Sequence, residues 1–231
     1  MLRVRPLVYT ADLPRAAAFL QALGLTPAAT STPSDSHAVF DAGSGRVALH
    51  TCAAGSAGEG TSALGFEVGD VREFARRTAE AGTAVDVSEE GHDLAARVTS
   101  ADGVSLLVDA GPRETGAPAS PLSVLALWYV PDPAPAVQVL RNIGARPRSS
   151  PDPGTWHDFR AKNGGLVAAH QMPRAAVELA FEYEGGVRDL LPGLIDGGFE
   201  PTVDDERHGA ALRVTAPWGI EIQVIGTRPD A

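Results

Sequence analysis

Residues 1 to 50 of this chain fall on residues 121 to 170 at a constant offset of 120 with no gap. Leu7 meets Leu127, Tyr9 meets Tyr129, Asp12 meets Asp132 and Gly24 meets Gly144; further on, His37 meets His157 and His50 meets His170. About fifteen of fifty positions are identical, where average residue usage leaves roughly four to chance, so the chain is a duplication. The later part of each half repeats as well, at offsets near 115 or 116: Ala63 to Gly103 falls on Glu178 to Gly219, matching Gly65-Phe66-Glu67 with Ala180-Phe181-Glu182 and Arg97-Val98-Thr99 with Arg213-Val214-Thr215. The polypeptide is therefore four units of about fifty residues in two successive pairs, and that period governs every other reading.

Each of the first three units opens with an apolar strand, followed by an N-cap, a short helix and a glycine. Asp12, Asp70 and Asp132 can accept from the free N–H groups of a first helical turn, and Gly24, Gly82 and Gly144, twelve residues on in each case, supply the left-handed residue past its end. Asp70-Val71-Arg72-Glu73 resembles a capping box, and Pro14 and Pro133 sit where a first turn tolerates a missing N–H. The fourth unit departs: Gly185-Gly186 replaces the cap and Pro192-Gly193 interrupts the helix, which predicts a short or distorted one. Three short strand segments follow each glycine, such as Val47-Ala48-Leu49 and Ile220-Glu221-Ile222-Gln223-Val224. Ala53 to Thr61 and Ala110 to Pro121 read as linkers, and Asp152-Pro153-Gly154 and Asn163-Gly164-Gly165 as turns.

A strand-helix-three-strand unit exposes a sheet face that its own helix cannot cover, so units must pair. With that arrangement the chain resembles the vicinal oxygen chelate superfamily, which holds glyoxalase I, bleomycin-resistance proteins and extradiol dioxygenases. The residues that carry the resemblance are Leu7 to Leu13, Gly65 to Val71, Asp102 to Leu106 and Pro217 to Ile222. It implies an α+β fold of four βαβββ modules forming two paired, curved mixed β-sheets with the helices outside. The expected domains are residues 1–112, with modules 1–52 and 62–110, and residues 121–231, with modules 121–171 and 175–226. Whether modules pair in sequence order or the first with the last stays open, as does monomer against homodimer.

Composition narrows the function. A formal charge of −10 argues against a nucleic-acid partner, which needs clustered cations. Cys52, the single cysteine, permits no internal disulfide and fits a reducing cytoplasm. No apolar run approaches the roughly 18 residues of a membrane span and no signal-peptide core is present, so a soluble, cytoplasmic protein without a membrane partner is expected. The single lysine, Lys162, reads as a codon preference for arginine.

Strand alternation assigns the inward faces. In unit four, Leu179, Phe181, Tyr183, Ile220, Ile222 and Val224 belong under the helix, which turns Glu178, Ala180, Glu182, Glu221 and Gln223 inward. The same phase in unit two gives Ala63, Gly65, Glu67, Ser105 and Leu107, a wall nearly bare of chemistry. Units one and three present Arg5, Leu7, Tyr9, Ala48 and His50, and Leu125, Leu127, Tyr129, Ala168 and His170.

The resemblance implies metal ligands in the first and last strands of two paired units; here those places hold Arg5 and His50, Ala63 and Leu107, Leu125 and His170, and Glu178 and Gln223. The second half thus offers His170, Glu178 and Gln223 for a divalent metal (Fe, Mn, Ni or Zn), with Leu125 as the gap. Glu182 and Glu221 are candidates for proton transfer, since neighbouring carboxylates raise one another's pKa. Arg5, Tyr9, His50, Tyr129, Trp156 and Phe159 are candidate ligand contacts, Arg5 for an anionic ligand; an Arg5–Glu178 ion pair is expected instead if the first unit pairs with the last. His37 and His157 read as hairpin-end hydrogen-bonders, His92 and His208 as exposed or capping residues, and Trp128 as core.

No phosphate loop, Cys-x-x-Cys, His-Glu-x-x-His or nucleophile elbow occurs. Two readings stand. One is a small-molecule-binding protein of the glyoxalase/bleomycin-resistance type with metal ligation incomplete in at least one cavity. The other is a divalent-metal glyoxalase-like isomerase or lyase, or an extradiol-type dioxygenase, working in the C-terminal cavity on a small organic substrate.

Overall fold

A computed structural model describes the chain except residues 32–33, 91–92, 115, 118, 149–153, 207–208 and 228–231. His92, His208 and most of the expected Asp152-Pro153-Gly154 turn lie outside the described residues.

The four repeats are visible in the element order. The first holds β1 (Arg3–Val4), β2 (Leu7–Thr10), α1 (Leu13–Ala22), β3 (Thr26–Pro27), β4 (His37–Asp41) and β5 (Arg46–Thr51). The second holds β6 (Ser62–Val68), α2 (Val71–Glu80), β7 (Asp86–Glu90), β8 (Asp93–Thr99) and β9 (Ser105–Ala110). The third holds β10 (Leu122–Val130), α3 (Pro133–Asn142), β11 (Arg146–Pro147), β12 (Trp156–Arg160) and β13 (Leu166–Gln171). The fourth holds β14 (Ala176–Glu184), a 3₁₀ turn (Val187–Leu190), α4 (Leu191–Asp196), β15 (Thr202–Glu206), β16 (Gly209–Thr215) and β17 (Glu221–Thr227).

The caps act as the sequence predicts. Asp12, Asp70 and Asp132 accept from the backbone N–H of Arg15, Glu73 and Ala134. Gly24, Gly82 and Gly144 follow the helices at φ +102°, +95° and +94°, where any side chain would be strained. Of the capping box, the Asp70 half forms, while the Glu73 carboxylate takes the guanidinium groups of Arg76 and Arg77. The uncapped fourth helix is indeed short, a 3₁₀ turn running into six residues with Pro192 in the first turn.

Strands of the first two repeats form one mixed sheet in the order β3-β4-β5-β2-β6-β9-β8-β7, with β1 also on β6; those of the last two form a second, β11-β12-β13-β10-β14-β17-β16-β15. Sheet membership therefore follows sequence order. Proline explains why the opening strand is broken into β1 and β2: Pro6 has no N–H to give the ladder.

By contact density the chain resolves into two compact units that divide both sheets: one of residues 1–6, 63–114 and 126–178, the other of residues 7–62, 115–125 and 179–231. In the first unit the core is built on Phe66, Leu106, Leu140 and Phe159, and the fully buried Trp128 donates its indole N–H to Asp102 at 3.0 Å. In the second, Phe19 is edge-on to both Phe199 (5.0 Å) and Trp218 (5.4 Å), and Arg15 lies 4.3 Å over Phe199 while donating to the carbonyls of Gly197 and Gly198. A buried Arg46–Asp41 pair at 2.6 Å, with Thr30 as a second partner of Arg46, sits in the same unit. Ile220 departs from its expected place under the helix: it precedes β17 and is 37% exposed.

Candidate functional site

Four half-buried side chains form a row across adjacent strands of the first compact unit. Trp156 on β12 stands opposite His170 on β13, their rings 4.9 Å apart and inclined at 56°. On the next strand, β10, the Tyr129 ring lies 5.7 Å from that of His170. Its hydroxyl donates to Glu178 Oε2 on β14 at 3.0 Å. With neighbouring strands about 4.8 Å apart, the row is about 14 Å long, and strand alternation keeps all four groups on one face. Burial raises the Tyr129 hydroxyl above its ordinary 10.0, and the Glu178 charge and hydrogen bond raise it further. Tyr129 is thus a neutral donor, not a base, at any physiological pH.

The first half repeats the row with different chemistry. Tyr9 on β2 is in register with His50 on β5 (rings 5.9 Å apart), and His50 is opposite His37 on β4 (4.7 Å). The position matched to Glu178 carries Ala63, so this row has no carboxylate there.

His37 and His157, matched in sequence, do not match in space. The first hairpin closes Asp41 onto Arg46 around residues 42–45; the second closes Arg160 onto Leu166 around residues 161–165, using two successive left-handed glycines, Gly164 and Gly165. That extra turn residue slides β12 by one position, and a one-residue slide turns a strand over. His157 therefore pairs with Ala169 and lies on the face opposite His170, while Trp156 takes the place that His37 holds in the first half. Phe159, expected as a ligand contact, goes with it: it stands opposite Val167 and is 2% exposed, the spatial counterpart of buried Phe40. An offset of 119 through this strand, which aligns Phe40 with Phe159, is the sequence signal that would have found this.

Arg5 is also placed differently from the expectation. Its guanidinium is ion-paired with Asp109 and lies 3.4 Å from Glu67, and Arg3 binds the other oxygen of Glu67 at 2.7 Å while donating to the carbonyls of Pro112, Arg113 and Asn163. The charge of Arg5 is thus compensated within the protein, and its partner is not Glu178. The second repeat is not bare either. Glu67 is in register with Asp109, two residues beyond the last inward position read from the sequence. Gly111 makes room for that carboxylate, since a Cβ there would fall 2.7 Å from Glu67 Oε2.

The remaining candidates lie on the fourth repeat. Glu182 is half-buried on β14 and in register with Ile225; Glu221 is exposed at the start of β17 with Arg213 at 3.3 Å; Gln223 is half-buried directly opposite Arg213. A divalent metal fits this donor set poorly. Leu125 cannot ligate, Glu178 already accepts from Tyr129, and Gln223 offers a neutral amide beside a guanidinium. Among the described residues no three His, Cys, Asp or Glu side chains are placed to hold a metal ion.

Residues 3–109 match the family model described as the Glyoxalase/Bleomycin resistance protein/Dioxygenase superfamily. No curated protein matches the chain in sequence. Among solved structures, a catechol 2,3-dioxygenase is similar at 14% identity and a TM-score of 0.64, covering 99% of this chain and 88% of that one. The 2,3-dioxygenase LapB from Pseudomonas sp. KL28 is similar at 16% identity and a TM-score of 0.64, covering 98% and 91%. The Mn(II)-bound glyoxalase from Novosphingobium aromaticivorans is similar at 18% identity and a TM-score of 0.61, covering 98% and 81%. At these identities the likeness is one of fold. No helix among the described residues is long and apolar enough to cross a membrane.

Proposed function

We propose that the chain as a whole is a member of the glyoxalase/bleomycin resistance/dioxygenase superfamily, the vicinal oxygen chelate superfamily that the match over residues 3–109 and the likeness of fold support, and that it binds a small, flat organic molecule on the Trp156–His170–Tyr129–Glu178 row without a complete metal centre. The observation that carries this is the Tyr129–Glu178 hydrogen bond beside two tilted rings. The carboxylate that the superfamily's pattern would give to a metal is held by a phenol. What the row offers a ligand is ring surface at Trp156 and His170, and an acceptor at Glu178 for a hydroxyl or amine hydrogen. Fold alone does not choose among the superfamily's activities, so the argument rests on these side chains. The protein is read as soluble, with the ligand site in its C-terminal half and no nucleic-acid or membrane partner.

The competing reading is a divalent-metal isomerase, lyase or dioxygenase. It requires Glu178 to give up Tyr129 and a third strong donor to join it and His170. Elemental analysis of protein purified without added metal, then reconstituted with Fe, Mn, Ni or Zn, separates the two. Stoichiometric metal that disappears in both His170→Ala and Glu178→Ala removes the binder reading. In parallel, a panel of small aromatic alcohols and amines is screened by thermal shift. A stabilising ligand whose effect is lost in Trp156→Ala and reduced in Glu178→Gln supports the proposal, and ligand shifts that survive both substitutions refute it.

A further inference from the structure

A cavity in the first compact unit shares no lining residue with the row. Between the first turns of α2, the end of α3 and the β12–β13 turn is a cavity of about 460 Å³, inside the range of about 300–1,000 Å³ usual for small-molecule sites. Its floor is apolar: Leu2, Val68, Phe74 and Ile143 are all at most 8% exposed.

The polar side chains around it divide into two groups. Asp70 caps α2, Glu73 holds Arg76 and Arg77, and Asn142 is bonded to Gln138 and Thr83, so these have partners inside the protein. Arg146 and Lys162 also line the cavity. Both are exposed, and neither side chain is engaged by a carboxylate or carbonyl of any described residue. In a chain with 29 acidic and 19 basic residues, where carboxylates are in excess, two cations with no ion-pair partner among the described residues, set over one apolar floor, are a specific arrangement. Lys162, the only lysine, is one of them.

We infer that this cavity is a binding site for a monoanionic amphiphile, a carboxylate on a short aliphatic or aromatic body, with the body on Leu2, Val68, Phe74 and Ile143 and the carboxylate on Arg146 and Lys162. Arg146 supplies a planar fork suited to a carboxylate and Lys162 a mobile point charge beside it. The inference does not depend on the row being a ligand site, because the two share no residue.

The test uses the whole chain, with sodium octanoate as the probe and octan-1-ol and octylamine as controls, by titration calorimetry. Octanoate is expected to bind saturably, the alcohol and the amine at least about tenfold more weakly, and Arg146→Ala and Lys162→Ala to lose about tenfold each, the usual worth of one hydrogen bond to a charged group. Both side chains are exposed, so the variants should melt with the parent; Lys162→Glu provides a second variant that reverses the charge and should abolish binding. Absence of octanoate binding in the millimolar range overturns the inference, as does equal affinity for octanol. Octanoate affinity unchanged in the Arg146 and Lys162 variants also overturns it, and that result would place the probe elsewhere, the row included.

Discussion

If Glu178 holds Tyr129 as described, replacing the carboxylate by an amide should change how the phenol ionises. The Tyr129 hydroxyl is raised by burial first, then by the Glu178 charge and the hydrogen bond it accepts, so Glu178→Gln removes the second and third causes and leaves the first. A carboxylate about 4 Å from a forming phenolate opposes it by about 4 kcal/mol at an effective dielectric of 20. Both groups are half-buried, and solvent screening reduces this to about 1–2 kcal/mol, which at about 1.4 kcal/mol per pH unit is a shift of about one unit. Absorbance titration near 295 nm reports tyrosinate directly, and the chain has only three tyrosines. The phase that belongs to Tyr129 is identified by its disappearance in Tyr129→Phe, and it should move down by about one unit in Glu178→Gln while staying above the ordinary 10.0. The sign for stability follows: with the folded-state value above the ordinary 10.0, the contribution is complete below that pH and is lost as pH rises past it. An unmoved Tyr129 phase in Glu178→Gln would show that the carboxylate does not govern Tyr129, and the row would lose its central contact.

Other substitutions test the frame that carries the row. Asp41→Asn should cost about 3–5 kcal/mol in urea denaturation, because it removes the carboxylate charge that faces the buried Arg46 guanidinium at 2.6 Å; replacing both members by apolar residues should cost less than either single change. Gly43→Ala should destabilise by about 1–3 kcal/mol or more, since a Cβ there would fall 1.9 Å from the Ser120 carbonyl oxygen; a wild-type denaturation midpoint would mean the two segments are not in contact. Glu73 is lowered from 4.5 to about 2 by Arg76 and Arg77. Its stabilising effect should therefore be complete above about 4.5 and fade as pH falls towards 2, and a Glu73→Gln variant should show a flatter acid limb than the parent, with the difference shrinking in high salt.

The features legible in the sequence are those set by local chemistry. An aspartate twelve residues before a glycine predicted three helices with their caps, and Gly185-Gly186 with Pro192-Gly193 predicted the stunted fourth. The alternation that put Tyr129, His170 and Glu178 on one face is visible because each of those strands carries its own apolar set. What escaped depended on pairing between strands. A gapless alignment hid the turn residue that puts Trp156, not His157, beside His170. Asp109 carries no mark in the sequence because its role comes from Arg5, more than a hundred residues away, and from Glu67 on the adjacent strand. The cavity beside Lys162 could not be read either: its floor is assembled from four segments of chain, and a lone lysine in a sequence says nothing about what it stands over.

The longer hairpin at residues 161–165 shows how cheaply a doubled protein can make its halves unlike. The one-residue difference between the two bends puts an indole where the first half has an imidazole and turns His157 to the opposite face of the sheet. Two copies born identical can in this way come to present different rings from the same strand once a residue is shifted from one connection to the next.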